Sequence, residues 1–203
     1  MQGDDPFTPE VESPVPFTLG VLVKNSGYGP ARSLQIESQQ PKIRENKQGL
    51  LLVARLLGVR IQDSLLDETS LTVNLGDILP GQTKKGAWDM ITSLSGEFIE
   101  FKATYTHAPE LGGEETSIIK SLDAHFIAAE VMNDEPGRDG ILDFLADVDR
   151  DEDRLPDTLF ESEGPELPVN HLDQVTVGAY TGPRTFPVSL ESDFEGWGYM
   201  RMD

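Results

Sequence analysis

Leu71-Thr-Val-Asn-Leu-Gly-Asp-Ile-Leu-Pro-Gly-Gln-Thr83 is the stretch whose reading decides the fold class. Leu71, Val73 and Leu75 alternate with polar residues, the period-two pattern of a strand with one buried face. Pro80-Gly81 then fits the two central positions of a type II turn, where proline presets φ and glycine takes a positive φ. Beyond the turn, Lys85 to Ile91, around Trp88, predicts the next strand. Upstream, Phe17-Thr-Leu-Gly-Val-Leu-Val23 alternates in the same way. Lys24 to Pro30 is a turn carrying two glycines, and Leu34-Gln-Ile36 is a short strand. Gln48 to Ile61 is apolar enough for a helix, but Gly49 and Gly58 bracket it and favour a strand. Ser95-Gly96 turns the chain, and Phe101 to Thr106 alternates again. Short strands with turn signals about every ten residues predict a β-sandwich.

Further along, the signals weaken. Thr116 to Val131 fits a helical face through Ile118, Leu122, Phe126 and Ala129, yet Ala124, Phe126 and Ala128 fit a strand equally. Val175 to Tyr180, Thr185 to Leu190 and Gly196 to Met202 read as three short strands. No internal repeat is evident. The expected organisation is a proline-rich linker over 1–15, a β-sandwich over 16–131, an acidic segment over 132–163 and a small C-terminal β unit over 164–203.

The charge is uneven. The chain of 203 residues has a net charge of −20, with 16 acids against 11 bases in residues 1–120 and 20 against 5 in residues 121–203. Such a negative field argues against nucleic acid and anionic membranes as partners and favours cations. No apolar run approaches the ~18 residues that a membrane-spanning helix needs, so no membrane insertion is expected. Cysteine is absent, which removes disulfides, thiol chemistry and zinc-thiolate sites. The N-terminus has neither the basic nor the apolar region of a signal peptide, and Met1 reads as the start of a piece cut from a longer chain.

Twelve of the 36 acidic residues fall between Asn133 and Glu163. Their centre is Asp147-Val-Asp149-Arg-Asp151-Glu-Asp153-Arg-Leu-Pro-Asp157. Carboxylates spaced two apart in an irregular loop can turn toward one centre, as a hard, oxygen-seeking cation requires. Without a cation they repel one another. Two registers are open: Asp149, Asp151 and Asp153 leading with Asp157 at the ninth position, or Asp147, Asp149 and Asp151 leading. The first is preferred. Neither puts Glu at the twelfth position, which argues against an EF-hand. Upstream, Asp139-Gly-Ile-Leu-Asp143 is a partial version that would share the ion or form a poorer second site. The competing reading is a solvated acidic linker, partly neutralised by Arg138, Arg150 and Arg154.

Three stretches carry a family resemblance: "FTLGVLVKNSGYGPARSLQIESQQPKI", "LTVNLGDILPGQT" and "DGILDF…LPDTLF". The β-sandwich half resembles the cell-adhesion-related domain found in bacteria, an immunoglobulin-like fold. The acidic half resembles the thrombospondin type-3 calcium loop, D-x-D-x-D-G-x-x-D, with Arg154 in place of its glycine. The resemblance implies an all-β protein: an immunoglobulin-like β-sandwich, an acidic calcium-loop segment and a small C-terminal β unit. It implies an extracellular or cell-surface structural or adhesive module without enzyme activity. Ca²⁺ would be held by Asp149, Asp151, Asp153 and Asp157, with Asp147, Asp139 and Asp143 as further candidates. At the roughly 10⁻⁴–10⁻³ M affinity of extracellular modules, about 1 mM calcium contributes roughly 0.4–1.4 kcal/mol per site. That suffices to order a loop and fix the angle between two β units.

Other chemistry is thinly supported. His107, His125 and His171 lie on separate segments, without the spacing of a zinc site. There is no G-x-S-x-G, phosphate-cradling glycine loop or H-E-x-x-H. Trp88 is expected in the sandwich core. Trp197, between two glycines, is expected in core or inter-domain packing; in the alternative glycan-binding reading it or Tyr199 would stack on sugar rings. The expected partners are neighbouring modules of the same chain or other copies of it. Alternative readings are a glycan- or surface-protein-binding sandwich with structural calcium, and a fibre subunit whose N-terminus donates a strand to a second copy.

Overall fold

The computed structural model describes residues 9–38, 42–43, 53–94, 98–100, 103–106, 119–149, 151, 155–172, 175–179, 182, 185, 187–191 and 198–200. Among them every regular element is a strand. In chain order they are β1 (Phe17–Lys24), β2 (Ala31–Ser38), β3 (Lys42–Ile43), β4 (Ala54–Ile61) and β5 (Ser64–Leu65). There follow β6 (Thr72–Ile78), β7 (Thr83–Thr92), β8 (Phe98–Glu100), β9 (Ala103–Thr106) and β10 (Phe126–Val131). The last are β11 (Asp143–Asp147), β12 (Thr158–Phe160), β13 (Glu166–Pro168), β14 (Val175–Val177) and β15 (Val188–Leu190). The protein is all-β, and no helix among the described residues is long and apolar enough to cross a membrane.

Two sheets, ordered β1-β7-β4-β5 and β6-β2-β9, face each other across the main core. Leu34 and Ile36 of β2 and Val73, Leu75 and Ile78 of β6 meet Val59 of β4 and Trp88 and Met90 of β7, all buried. Phe17, Leu19, Val21 and Val23 of β1 pack against them from its alternate positions. Trp88 is 1% exposed, so it is a core residue as expected. The turn after β6 also follows the sequence. Gly81 has φ of 79° and the Gln82 amide donates to the Leu79 carbonyl at 3.0 Å, which closes a type II turn with Pro80 in second place.

A third antiparallel sheet, β10-β11-β12-β13, lies against the opposite face of β1-β7-β4. It crosses both expected divisions at 131/132 and 163/164. One strand comes from the segment assigned to the sandwich, two from the acidic segment and one from the C-terminal unit. Residues 143–147 and 158–160 are strands rather than irregular loop. The reason is burial: all five residues of β11 are buried, and Leu145 joins Val131 and Leu159 in a second small core. β10 resolves the two readings of 116–131 in favour of a strand for its last six residues.

The outer sheet is seated through residues of even position in β1. Gly20 faces Phe144, and a Cβ there would stand 2.2 Å from the ring's Cζ. Only a residue without a side chain admits the ring at that point. β14 and β15 form a separate two-stranded sheet in which Val175 pairs with Leu190 and Val177 with Val188. The third expected C-terminal strand is not seen: residues 198–200 are irregular, and the rest of 196–202 lies outside the described residues. Gln48 to Leu52, Ser95-Gly96 and Phe101-Lys102 lie outside them as well.

Candidate functional site

Three of the predicted aspartates converge. One carboxylate oxygen each from Asp147, Asp149 and Asp157 lies within 4.8 Å of the other two. Asp147 ends β11 and is buried, Asp157 precedes β12 and is half-buried, and Asp149 is exposed on the loop between. β11 and β12 are paired neighbours, so the ladder brings the two ends of the loop together. The Asp157 amide donates to the Ala146 carbonyl at 3.0 Å and extends that ladder to the site.

Asp157 also organises the loop. Its Oδ2 accepts the amides of Val148 at 2.9 Å and Asp149 at 3.0 Å, and its Oδ1 accepts the Thr158 hydroxyl at 2.5 Å. The Thr158 hydroxyl and the two amides hold the carboxyl below the usual aspartate range. Asp149 Oδ1 in turn accepts the Asp151 amide at 3.2 Å. Asp151 itself is exposed and does not belong to the converging three. Asp153, Arg150 and Arg154 lie outside the described residues.

Asp139 and Asp143 are engaged elsewhere. Asp143 Oδ1 accepts the Ser162 amide at 2.8 Å, and the Ser162 hydroxyl donates to both oxygens of Asp139 at 3.1 and 2.9 Å. Burial pushes the Asp143 carboxyl up, and the nearby Asp139 charge adds to this against the Ser162 amide. Beside them Arg138 pairs at 2.8 Å with the buried carboxylate of Glu161. The two acidic pieces therefore serve different ends of β11.

A second constellation was not foreseen from the sequence. Between the β1-β7-β4 face and the outer sheet lie Arg60, Asp63, Lys85, Asp89 and Glu130. The Arg60 guanidinium grips Asp89 through Nε at 2.8 Å and Nη2 at 2.6 Å. It reaches Glu130 through Nη2 at 2.6 Å and Nη1 at 3.2 Å. Lys85, only 1% exposed, donates to Asp63 at 2.7 Å, to the Leu142 carbonyl at 2.6 Å and to Glu130 at 2.8 Å. Its ammonium also sits 4.6 Å from the centre of the Phe144 ring. Asp63 accepts the Leu142 amide on its other oxygen, and the Thr18 hydroxyl bonds Asp89 and Glu130, each at 3.1 Å.

The division of charge across this layer is informative. Arg60, Lys85, Asp63 and Asp89 belong to the sandwich and balance among themselves, while Glu130 enters from β10. Burial pushes Glu130 up, but hydrogen bonds and charge from Arg60 and Lys85 outweigh it and hold the carboxyl below the usual glutamate range. The hydrogen bond from Arg60 to Asp89, helped by Glu130 and opposed by burial, raises the guanidinium further above its ordinary value.

The remaining candidates are dispersed. His125 stacks on Phe160 with ring centres 5.1 Å apart, and His171 Nε2–H donates to the Pro156 carbonyl at 2.8 Å. Tyr199 is exposed. His107 and Trp197 lie outside the described residues.

No family model matches the chain, and no curated protein and no solved structure matches it.

Proposed function

We propose that the chain is a non-enzymatic structural or adhesive module of a larger extracellular surface protein, immunoglobulin-like in its sandwich and stiffened by calcium. The observation that carries this reading is the convergence of Asp147, Asp149 and Asp157 within 4.8 Å at the β11–β12 loop. The donors are carboxylates without thiol or imidazole, the set that a hard cation such as Ca²⁺ takes in preference to zinc or copper. Asp147, Asp149 and Asp157 would hold the ion. A bound ion would neutralise their mutual repulsion and tie the end of β11 to the start of β12.

The rest of the molecule supports a mechanical role. The outer sheet is fixed to the sandwich by ion pairs from Glu130 of β10 and by Phe144 of β11 against Gly20, so a loop ordered by an ion would be held on strands anchored to the sandwich face. The expected partners are neighbouring modules or further copies of the chain. Titration calorimetry with calcium, paired with melting curves in calcium and in chelator, tests the reading. Saturable binding and a raised melting temperature are expected. Superimposable melting curves and no heat of binding would remove it.

A further inference from the structure

Lys85 carries an amine sealed from water, set against two carboxyl groups and an aromatic ring. Its amine lies 2.7 Å from a carboxyl oxygen of Asp63 and 2.8 Å from Glu130, beneath the Phe144 ring. The position of Asp63 is itself unusual. Gln62 and Asp63, the two residues of the β4–β5 turn, have φ of 46° and 60°, values that side-chain-bearing residues rarely adopt. Turns of this kind favour Asn-Gly. Strain of this sort persists where the surroundings hold a side chain in place, and here the turn presents Asp63 to Lys85.

We propose that Lys85 and Asp63 condense into an intramolecular amide, with Glu130 as the proton carrier, so that the β4–β5 turn is covalently tied to β7. The bond between Nζ and the Asp63 carboxyl carbon forms, and the bond from that carbon to Oδ1 breaks. Of the three ammonium protons, one stays on the amide nitrogen and two leave with Oδ1 as water. Glu130 takes a proton from Nζ and returns it to the departing oxygen. No atom is oxidised or reduced. The Leu142 amide, already donating to Asp63 Oδ2, faces the oxygen on which negative charge develops, and the Arg60 guanidinium stands 3.4 Å from Oδ1.

Burial supplies both the proximity and the driving force. A side chain held against its target gains the advantage of an intramolecular reaction. Keeping the Lys85 charge out of water beside a partly buried Asp63 is costly, and an amide carries no charge to desolvate. Arg60 keeps Asp89 and Glu130 as partners after the step. The chain has no cysteine, so an amide is a cross-link open to it where a disulfide is not.

Intact-mass spectrometry of the denatured full chain decides the matter. The expected mass is that of the sequence less one water, and digestion should yield a branched peptide joining the segments of Lys85 and Asp63. Lys85→Arg and Asp63→Ala should restore the full mass, and Glu130→Gln should do so while keeping a folded circular dichroism spectrum. A wild-type chain at full sequence mass overturns the proposal whatever the variants do. So does a branch between Lys85 and Glu130, and so does an undiminished cross-link in Glu130→Gln.

Discussion

The ring of Phe144 fills the place where a side chain on Gly20 would begin, so a strand of the outer sheet and a strand of the sandwich share one volume. Adding a methyl at position 20 forces the ring out of its seat. Gly20→Ala is expected to destabilise the protein by on the order of 1–3 kcal/mol, the range for overpacking a filled site. Because the clash is with one ring, Phe144→Leu should recover part of that loss in the double variant. Urea midpoints of the four proteins check this. Strict additivity would show that the two residues do not compete for space.

The β11–β12 loop separates two roles that a metal titration alone would merge. Asp157 accepts two amides and a hydroxyl, so it organises the loop before any ion arrives. Asp149 is exposed, and its carboxylate accepts the Asp151 amide. Both Asp149→Ala and Asp157→Ala are expected to weaken calcium binding, by roughly tenfold or more for loss of a charged ligand. Only Asp157→Ala should also lower the melting temperature in chelator by several degrees. Calorimetry together with melting in chelator distinguishes them. Equal melting of the two variants without calcium would deny Asp157 its organising role.

How much of this was legible depends on the range of the interaction. Pro80-Gly81 was readable because a type II turn is a local demand on two adjacent residues, and Gly81 does take φ of 79°. Gly81→Ala should therefore cost about 1 kcal/mol in a denaturant titration, and an unchanged midpoint would contradict the turn assignment. The strands of the sandwich were readable for the same reason, through alternation. The outer face of β7 was not. Lys85, Ala87 and Asp89 alternate with Gly86, Trp88 and Met90, a pattern that matches a strand with one solvated face. That face is covered by Glu130, Leu142 and Phe144, which lie 40 or more positions later in the sequence. Gly20 in mid-strand was the available sign of a close approach. At the acidic loop, spacing brought out Asp147, Asp149 and Asp157 as candidates. Spacing could not separate them from Asp139 and Asp143, which turn to Ser162 at the other end of β11.

Glu130 sets the final expectation, the response to acid. Its folded carboxyl titrates below the usual value because Arg60 and Lys85 outweigh the effect of burial. The unfolded chain therefore binds this proton more tightly than the folded one. Its contribution to stability is fully present above about pH 4.3, the ordinary glutamate value, and is lost as pH falls through the lower folded value. Asp143 works against this, since burial raises its folded carboxyl and protonation favours the folded state there. Glu130→Gln should thus destabilise the protein near neutrality, where the Arg60 guanidinium loses one of its two close carboxylates. It should also flatten the decline in stability below about pH 4.3, because the titrating group has been removed. Denaturant midpoints of wild type and variant from about pH 7 to about pH 3 measure both effects. Parallel acid limbs would place the acid sensitivity elsewhere and strip the ionic layer of its part in holding the outer sheet.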